Sequence, residues 1–398
     1  MSQVTAFANQ EEKEEYNKNA LRLLNAIKDY KIPAIQIGDM TIDEVAPIFE
    51  RINSAGRQLL LVDLMRAATW GDGFDLNTVI DDIKEDIKNK DFQDVSEQHI
   101  LRNIASSSGL GIHKEAIEKL REKTSSELKQ AAEKTREAYK LAVDFLTAEF
   151  PLTCYGYLPY GLQLTLLVEF FRMNPRPDIH KKEVLTSWVW HTSFSKHFGQ
   201  SNTGQQIRDL KAIRDLSKNK SSIENLTKIN YEAFINEEFR LNKASSKSYS
   251  LLLAINNPKS LLDGTSVNTK SVLSIVNKNE FHHIFPKNYL SSAGYTDKDI
   301  NKHSNICMLT MIDNRKISNK KPSIYFKDLQ ESLGDKLEDV LESNYISKEA
   351  FDAALQDDYE KFIQIRSNIL ISKMKDLTPN KATLEDEANM NSDLDYDS

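Results

Sequence analysis

Apolar positions recur at helical spacing through most of the chain. In SSELKQAAEKTREAYKLAVDFLTAEF, residues Leu128, Ala131, Ala138, Ala142 and Phe145 stand three to four positions apart or at multiples of that spacing, which predicts an amphipathic helix. The next apolar run, LPYGLQLTLLVEFFRM at 158–173, is hydrophobic almost all round and reads as a helix buried on every side. The NPRP tetrapeptide at 174–177 ends it, because a residue before proline is pushed out of the α region. KEVLTSWVWHTSFSKHF then contributes Trp188, Trp190 and Phe194, aromatic residues expected in the core. Strand character enters late, in SVLSIV (271–276), FHHIFP (281–286) and NICMLT (305–310), all β-branched or apolar. After KPSIYFKDL the helical spacing returns until about Leu377. The closing TPNKATLEDEANMNSDLDYDS lacks the apolar content to fold and is expected to be disordered. No fixed-period repeat is present.

Composition narrows the class. The 398 residues are 40% hydrophobic and 28% charged, ordinary for a globular protein and long enough for two or three domains. Cys154 and Cys307 are the only cysteines and lie far apart, so neither a disulfide framework nor a C-x-x-C zinc knuckle is available. The first twenty residues show no signal-peptide pattern, and no run reaches the 18 or so apolar residues of a membrane span. A soluble protein of a reducing compartment, the cytoplasm, is expected, with no membrane partner.

Charge adds an asymmetry. The net value is −7, yet residues 240–321 hold 13 Lys and Arg against 5 Asp and Glu, a local excess of +8. A basic block of this kind suits phosphate attraction, although a solvated lysine-rich surface has the same composition. The tail from Glu385 to Ser398 is acidic, with six carboxylates and no basic residue.

Inside the basic block lies NEFHHIFPKNYL, which places two of the eight histidines side by side at the end of an apolar run. Asn305 follows His283 by 22 residues, and Asn314 follows Asn305 by 9. A strand ending in His282–His283, a loop, a strand opening on Asn305 and a helix starting near Asp313 make a compact ββα unit. Asp313 is a good N-cap candidate, which puts Asn314 in the first helical turn. Such a unit can gather His282, His283 and Asn314 around one divalent ion and one water. Phosphodiester hydrolysis needs that combination: a base of near-neutral pKa for the water, and a cation for the phosphate and leaving oxygen. Asp297, Asp299 and His303, in the intervening loop, read as solvated.

HHIFP…N…N resembles the HNH, or ββα-metal, nuclease signature, in the variant found in the C-terminal domain of GmrSD-type restriction endonucleases. The resemblance runs through roughly 80 residues around the histidines. EVAPIFERINSAGRQLLLVDLMRAATW is similar to the closing part of the GmrSD N-terminal domain, where a Phe-x-Arg-x-Asn…Gly…Leu segment precedes a helix. The resemblance implies His283 as the general base and His282 and Asn314 as metal ligands. It also implies that Asn305 pins the loop and orients the base. Lys287, Arg315, Lys316 and Lys320 are candidate phosphate contacts, though the family signature does not fix them. His282 stands where many HNH enzymes carry Asp. Without a carboxylate ligand, Mg²⁺ or Mn²⁺ is held weakly and imidazole tilts preference toward Mn²⁺, Ni²⁺ or Zn²⁺.

The family's N-terminal domain normally opens with a strand-rich portion carrying an Asp-Gly-Gln-Gln-Arg motif, and this chain is expected to begin after it. TGQQIRDL (203–210) is a superficial echo, with Thr203 rather than Asp before its glycine. A separate polypeptide that supplies the nucleotide-binding portion is therefore a possible partner.

The expectation is an α+β protein, predominantly α-helical, with helical N-terminal and middle regions, a small ββα-metal module and C-terminal helices. The expected divisions are 1–95, a remnant of the GmrSD N-terminal domain; 96–250, helical; 251–330, the nuclease module; 331–377, helices; and 378–398, the acidic tail. The expected activity is metal-dependent DNA endonuclease action in restriction or antiviral defence. The alternatives are a catalytically inactive DNA- or protein-binding subunit, or an RNA-cleaving toxin.

Overall fold

The computed structural model describes residues 9–31, 48, 60–70, 73–218, 220–273, 281–309 and 320–379. The chain divides into two units, Met1–Leu59 and Leu60–Ser398. In the first, helix α1 (Gln10–Lys28) is started by a capping box. The Asn9 side chain accepts from the Glu12 amide at 2.9 Å, and the Glu12 carboxylate accepts from the Asn9 amide at 3.1 Å.

The second unit is built almost entirely of helices. After helices at Leu61–Thr69 and Leu76–Asp86 come α2 (Glu97–Ser107), α3 (Ser125–Glu149), α4 (Gly161–Met173), α5 (Ile179–Phe194), α6 (Thr203–Lys218) and α7 (Ala244–Ala254). The predicted face of α3 is buried at all five named positions, and Thr124 with Glu127 forms the capping box that starts it. Helix α4 is buried nearly all round, as its sequence requires, and ends at Met173 before the NPRP segment. It packs against α2, α3 and α6. Gly161 opens it where His99 and the Tyr155 hydroxyl come so close that a Cβ has no room. Two polar side chains on α4 survive burial because they are paired. Gln163 Nε2 donates to Val189 O, Thr192 Oγ1 and Ser193 Oγ at 3.1, 2.9 and 2.8 Å. Glu169 meets Arg172 at 2.7 Å and Arg214 at 2.6 Å. An unpaired carboxylate at that depth would cost several kcal/mol. Trp188, Trp190 and Phe194 of α5 are core residues.

The described strands are two, β1 (Phe281–His283) and β2 (Ile306–Met308), paired antiparallel. Towards the C-terminus follow α8 (Pro322–Leu333), α9 (Lys348–Leu355) and α10 (Tyr359–Leu377), among shorter turns. The predicted return to helix up to Leu377 is observed. A strand over 271–276 is not: Ser271 and Val272 close a one-turn helix, Thr269–Val272, and residues 274–276 lie outside the described residues. Asn268 caps that turn through Ser271 N at 3.2 Å, a local signal that outweighs the β-branched composition.

The β ribbon stands between two hydrophobic cores. Ile306, Met308 and the partly buried Phe281 belong to the large core of α2–α7. Cys307, Leu309 and Ile284 belong to a second core with Phe326 of α8, Phe351 of α9 and Phe362 of α10. The alternation of side chains along a strand produces this division. Burial on both faces fixes the register of a ribbon only three residues long.

Candidate functional site

The register pairs His282 with Cys307 and His283 with Ile306. Successive strand residues emerge on opposite faces, so the two imidazoles leave the ribbon on different sides. His283 is the better defined of the two. Its Nε2 lies 2.8 Å from Asn301 Oδ1, and the Asn301 amide group donates to Asp297 O at 2.7 Å. With its NH₂ so engaged, Asn301 presents oxygen to the ring, which assigns the imidazole proton to Nε2 and leaves Nδ1 as the basic nitrogen. Burial holds the His283 pKa below its ordinary value, aided by the nearby Lys287 ammonium and opposed by the Asn301 bond. The ring is therefore neutral at pH 7, the form a general base requires.

Asn305 is fully buried in the turn that precedes β2. Its Oδ1 accepts from Phe285 N at 2.9 Å, and its Nδ2 donates to Phe285 O at 3.2 Å and Ile300 O at 2.9 Å. Its own carbonyl accepts from Ile284 N at 2.8 Å. One side chain thus ties the residues after His283 to the end of the loop that carries Asn301. All its polar capacity points at backbone, so it positions the loop and leaves chemistry to other groups.

His303 departs from the reading of it as solvated. It is completely buried, with Nδ1 at 2.8 Å from Phe234 O, Nε2 at 3.2 Å from Ser246 Oγ and its ring stacked on Tyr249 at 4.7 Å. Burial lowers its pKa to about 4. It is a structural staple between the loop and α7. Asp297 and Asp299 do remain at the surface, paired with Lys287 at 2.9 Å and Lys302 at 3.1 Å.

Three further residues fix the ribbon and were not singled out from sequence. Tyr325 of α8 donates to Ile284 O at 2.6 Å, and Tyr249 of α7 donates to Ile306 O at 3.0 Å. Arg366 of α10 is fully buried. Its Nη1 donates to Ser304 O at 2.6 Å and Ile306 O at 3.0 Å, on either side of Asn305, while Nη2 donates to Asn344 O at 3.1 Å. The available signal was position: an arginine on the face shared by Phe362, Ile363 and Leu370 must find internal acceptors.

The basic block is partly neutralised by the fold. Lys259 pairs with Asp339, and Lys320 with Asp328 at 3.0 Å. Arg240 pairs with Glu238 at 2.7 Å and Lys243 with Glu237 at 3.7 Å. Four of these carboxylates lie outside the 240–321 window, so the count along the sequence overstates the local positive field. Lys287 and Lys320 themselves sit in exposed ion pairs, which a phosphate can displace at little cost.

Asn314, Arg315 and Lys316 lie outside the described residues, as does the helix expected to follow β2. Among the described residues no group of three or more His, Cys, Asp or Glu side chains could hold a metal ion. One imidazole and one amide oxygen, the expected donors, suit a divalent ion whose coordination is otherwise completed by water and phosphate oxygens.

No family model matches the chain. An uncharacterized protein of Methanocaldococcus jannaschii is 23% identical over 413 aligned positions, covering 91% of this chain and 67% of that protein. The similarity brings no activity with it. Among the described residues no helix is long and apolar enough to cross a membrane.

Proposed function

We propose that the protein is a metal-dependent phosphodiesterase of the HNH type, acting as an endonuclease on DNA in defence against foreign DNA. The observation that carries this reading is the cross-tie made by Asn305, which holds the turn after a strand-terminal His283 at the spacing of the ββα-metal signature. In the reaction His283 Nδ1 takes a proton from the attacking water while Nε2–H stays on Asn301, so the ring keeps its orientation as it becomes cationic. Asn305 keeps the loop fixed as the charge develops. A divalent ion on His282 and Asn314 would neutralise the phosphate and stabilise the leaving oxygen. Strand alternation turns His282 to the opposite face of the ribbon from His283.

The test is incubation of the purified protein with modified DNA, unmodified DNA and RNA under Mg²⁺, Mn²⁺ and EDTA. Cleavage of DNA that requires a divalent ion supports the reading. Binding without cleavage under every metal points to a non-catalytic subunit, and cleavage confined to RNA points to a toxin.

A further inference from the structure

The TGQQIRDL segment, which the nuclease reading leaves unused, forms the first half of α6. Gln205, Arg208, Asp209, Ala212 and Asp215 share one face of that helix and line one side of a cleft of about 260 Å³. The irregular chain at 220–227 lines the other side, and the buried His197 lines it too. His197 stands in the turn that ends α5, directly after Lys196, whose φ of 56° is left-handed and uncommon for a long side chain. The His197 carbonyl accepts from Gln205 Nε2 at 2.7 Å, which ties that turn to α6.

The His197 ring joins Asp209 to Thr227. Its Nε2 lies 3.1 Å from Asp209 Oδ1, and its Nδ1 accepts from the Thr227 amide at 3.2 Å. An amide N–H can only donate, which assigns the imidazole proton to Nε2, facing the carboxylate, and leaves Nδ1 basic. The Thr227 hydroxyl, 2.8 Å from Nδ1, therefore donates to it as well. Hydroxyl, base and carboxylate stand in the order of a nucleophile triad, each within hydrogen-bond reach of the next. His191 Nε2 donates to the Thr227 carbonyl at 2.9 Å, so the nucleophile is held from both sides. Asp209 meets no lysine or arginine among the described residues, and its second oxygen is buried there without a partner. Its charge is left to stabilise the imidazolium that forms when the hydroxyl gives up its proton. A link built only to pin the chain needs no accessible hydroxyl, yet Thr227 is exposed and opens on the cleft.

We propose that Thr227, His197 and Asp209 form a second active site, which cleaves small carboxylic esters through an acyl-threonine. Thr227 Oγ1 attacks the ester carbonyl carbon and bonds to it, while the hydroxyl proton passes to His197 Nδ1. The bond from that carbon to the alcohol oxygen then breaks, and His197 gives the proton to the leaving alcohol. A water deprotonated by the same ring releases the acid and restores the Thr227 hydroxyl. Arg208 lines the cleft, makes no ion pair among the described residues and supplies positive charge for the oxyanion. The cleft is smaller than the roughly 300–1,000 Å³ of sites for drug-sized ligands, so both parts of the ester are small. None of the residues assigned to phosphodiester hydrolysis takes part, and the inference is independent of the nuclease reading.

The test is hydrolysis of p-nitrophenyl acetate by the full chain in EDTA, with peptide mapping after treatment with an alkyl fluorophosphonate. The expected results are a phosphonyl group on Thr227 and a loss of rate of about 10²-fold or more in Thr227→Val and in His197→Gln. Thr227→Val keeps the side-chain shape and the amide bond to His197, and its thermal transition shows whether the fold survives. Thr227→Ser retains the hydroxyl and is expected to keep both hydrolysis and labelling. A parent protein that does not hydrolyse the ester, an adduct on another residue, or a Thr227→Val protein as active as the parent overturns the inference.

Discussion

Asn305 and His303 stand two positions apart, yet one was legible from the sequence and the other was not. The part given to Asn305 came from the resemblance to the ββα-metal signature, and its side chain is seen to tie Phe285 to Ile300. His303 depends on Phe234 and Ser246, 69 and 57 residues earlier, which no local pattern announces. Asn301, which fixes the tautomer of His283, looked like any polar loop residue. Buried neutral histidines make stability sensitive to acid. His99 and His303 are both lowered by burial to about 4, so between pH 6.5 and 4 the unfolded chain binds protons that the folded chain refuses. Stability is then complete above pH 6.5, falls as pH drops through that window and levels off below it. At about 1.4 kcal/mol per unit, the two rings together cost several kcal/mol. Urea midpoints between pH 4 and 7.5 read this directly, and a midpoint flat across the window would contradict it.

At the scale of elements, α3, α4 and α5 were legible because each buries a face of helical period in one continuous core. The strands at 281–283 and 306–308 were legible from composition, but Ser271 and Val272 were not: a single Asn cap redirected two residues of strand-like type. The ribbon has three residues a side, too few to hold itself, and its order comes from side chains on α7, α8 and α10. Arg366 is the strongest of these ties, because removing it strands the carbonyls of Ser304 and Asn344 and weakens the hold on Ile306. Arg366→Met is expected to lose about 2–4 kcal/mol of stability, the usual range for a broken buried network. Amide exchange should accelerate at 281–284 and 306–308 well beyond any change in α3. Equal acceleration everywhere would mean that Arg366 stabilises the unit as a whole and has no particular hold on the site.

For the whole molecule, the charge map differs most from the sequence count. The excess of +8 over 240–321 is offset by carboxylates at 237, 238, 328 and 339 that folding brings alongside. In the proposed complex with DNA, affinity would rest on lysines that exchange a carboxylate for a phosphate. Asp297→Asn frees Lys287 from its exposed pair and is expected to tighten DNA binding and steepen the salt dependence by about one unit of slope, as one added phosphate contact requires. Unchanged binding and slope would remove Lys287 from the interface.

The central claim is that His283 is the base of a phosphodiester hydrolysis, and the cleavage rate of His283→Ala against the parent protein tests it most directly. The His283 ring bonds only to Asn301 among the described residues, so the substitution should leave the thermal transition close to that of the parent while cleavage falls about 10²- to 10⁴-fold, the range for loss of a general base. A folded His283→Ala protein that cuts DNA at the parent rate would contradict the account.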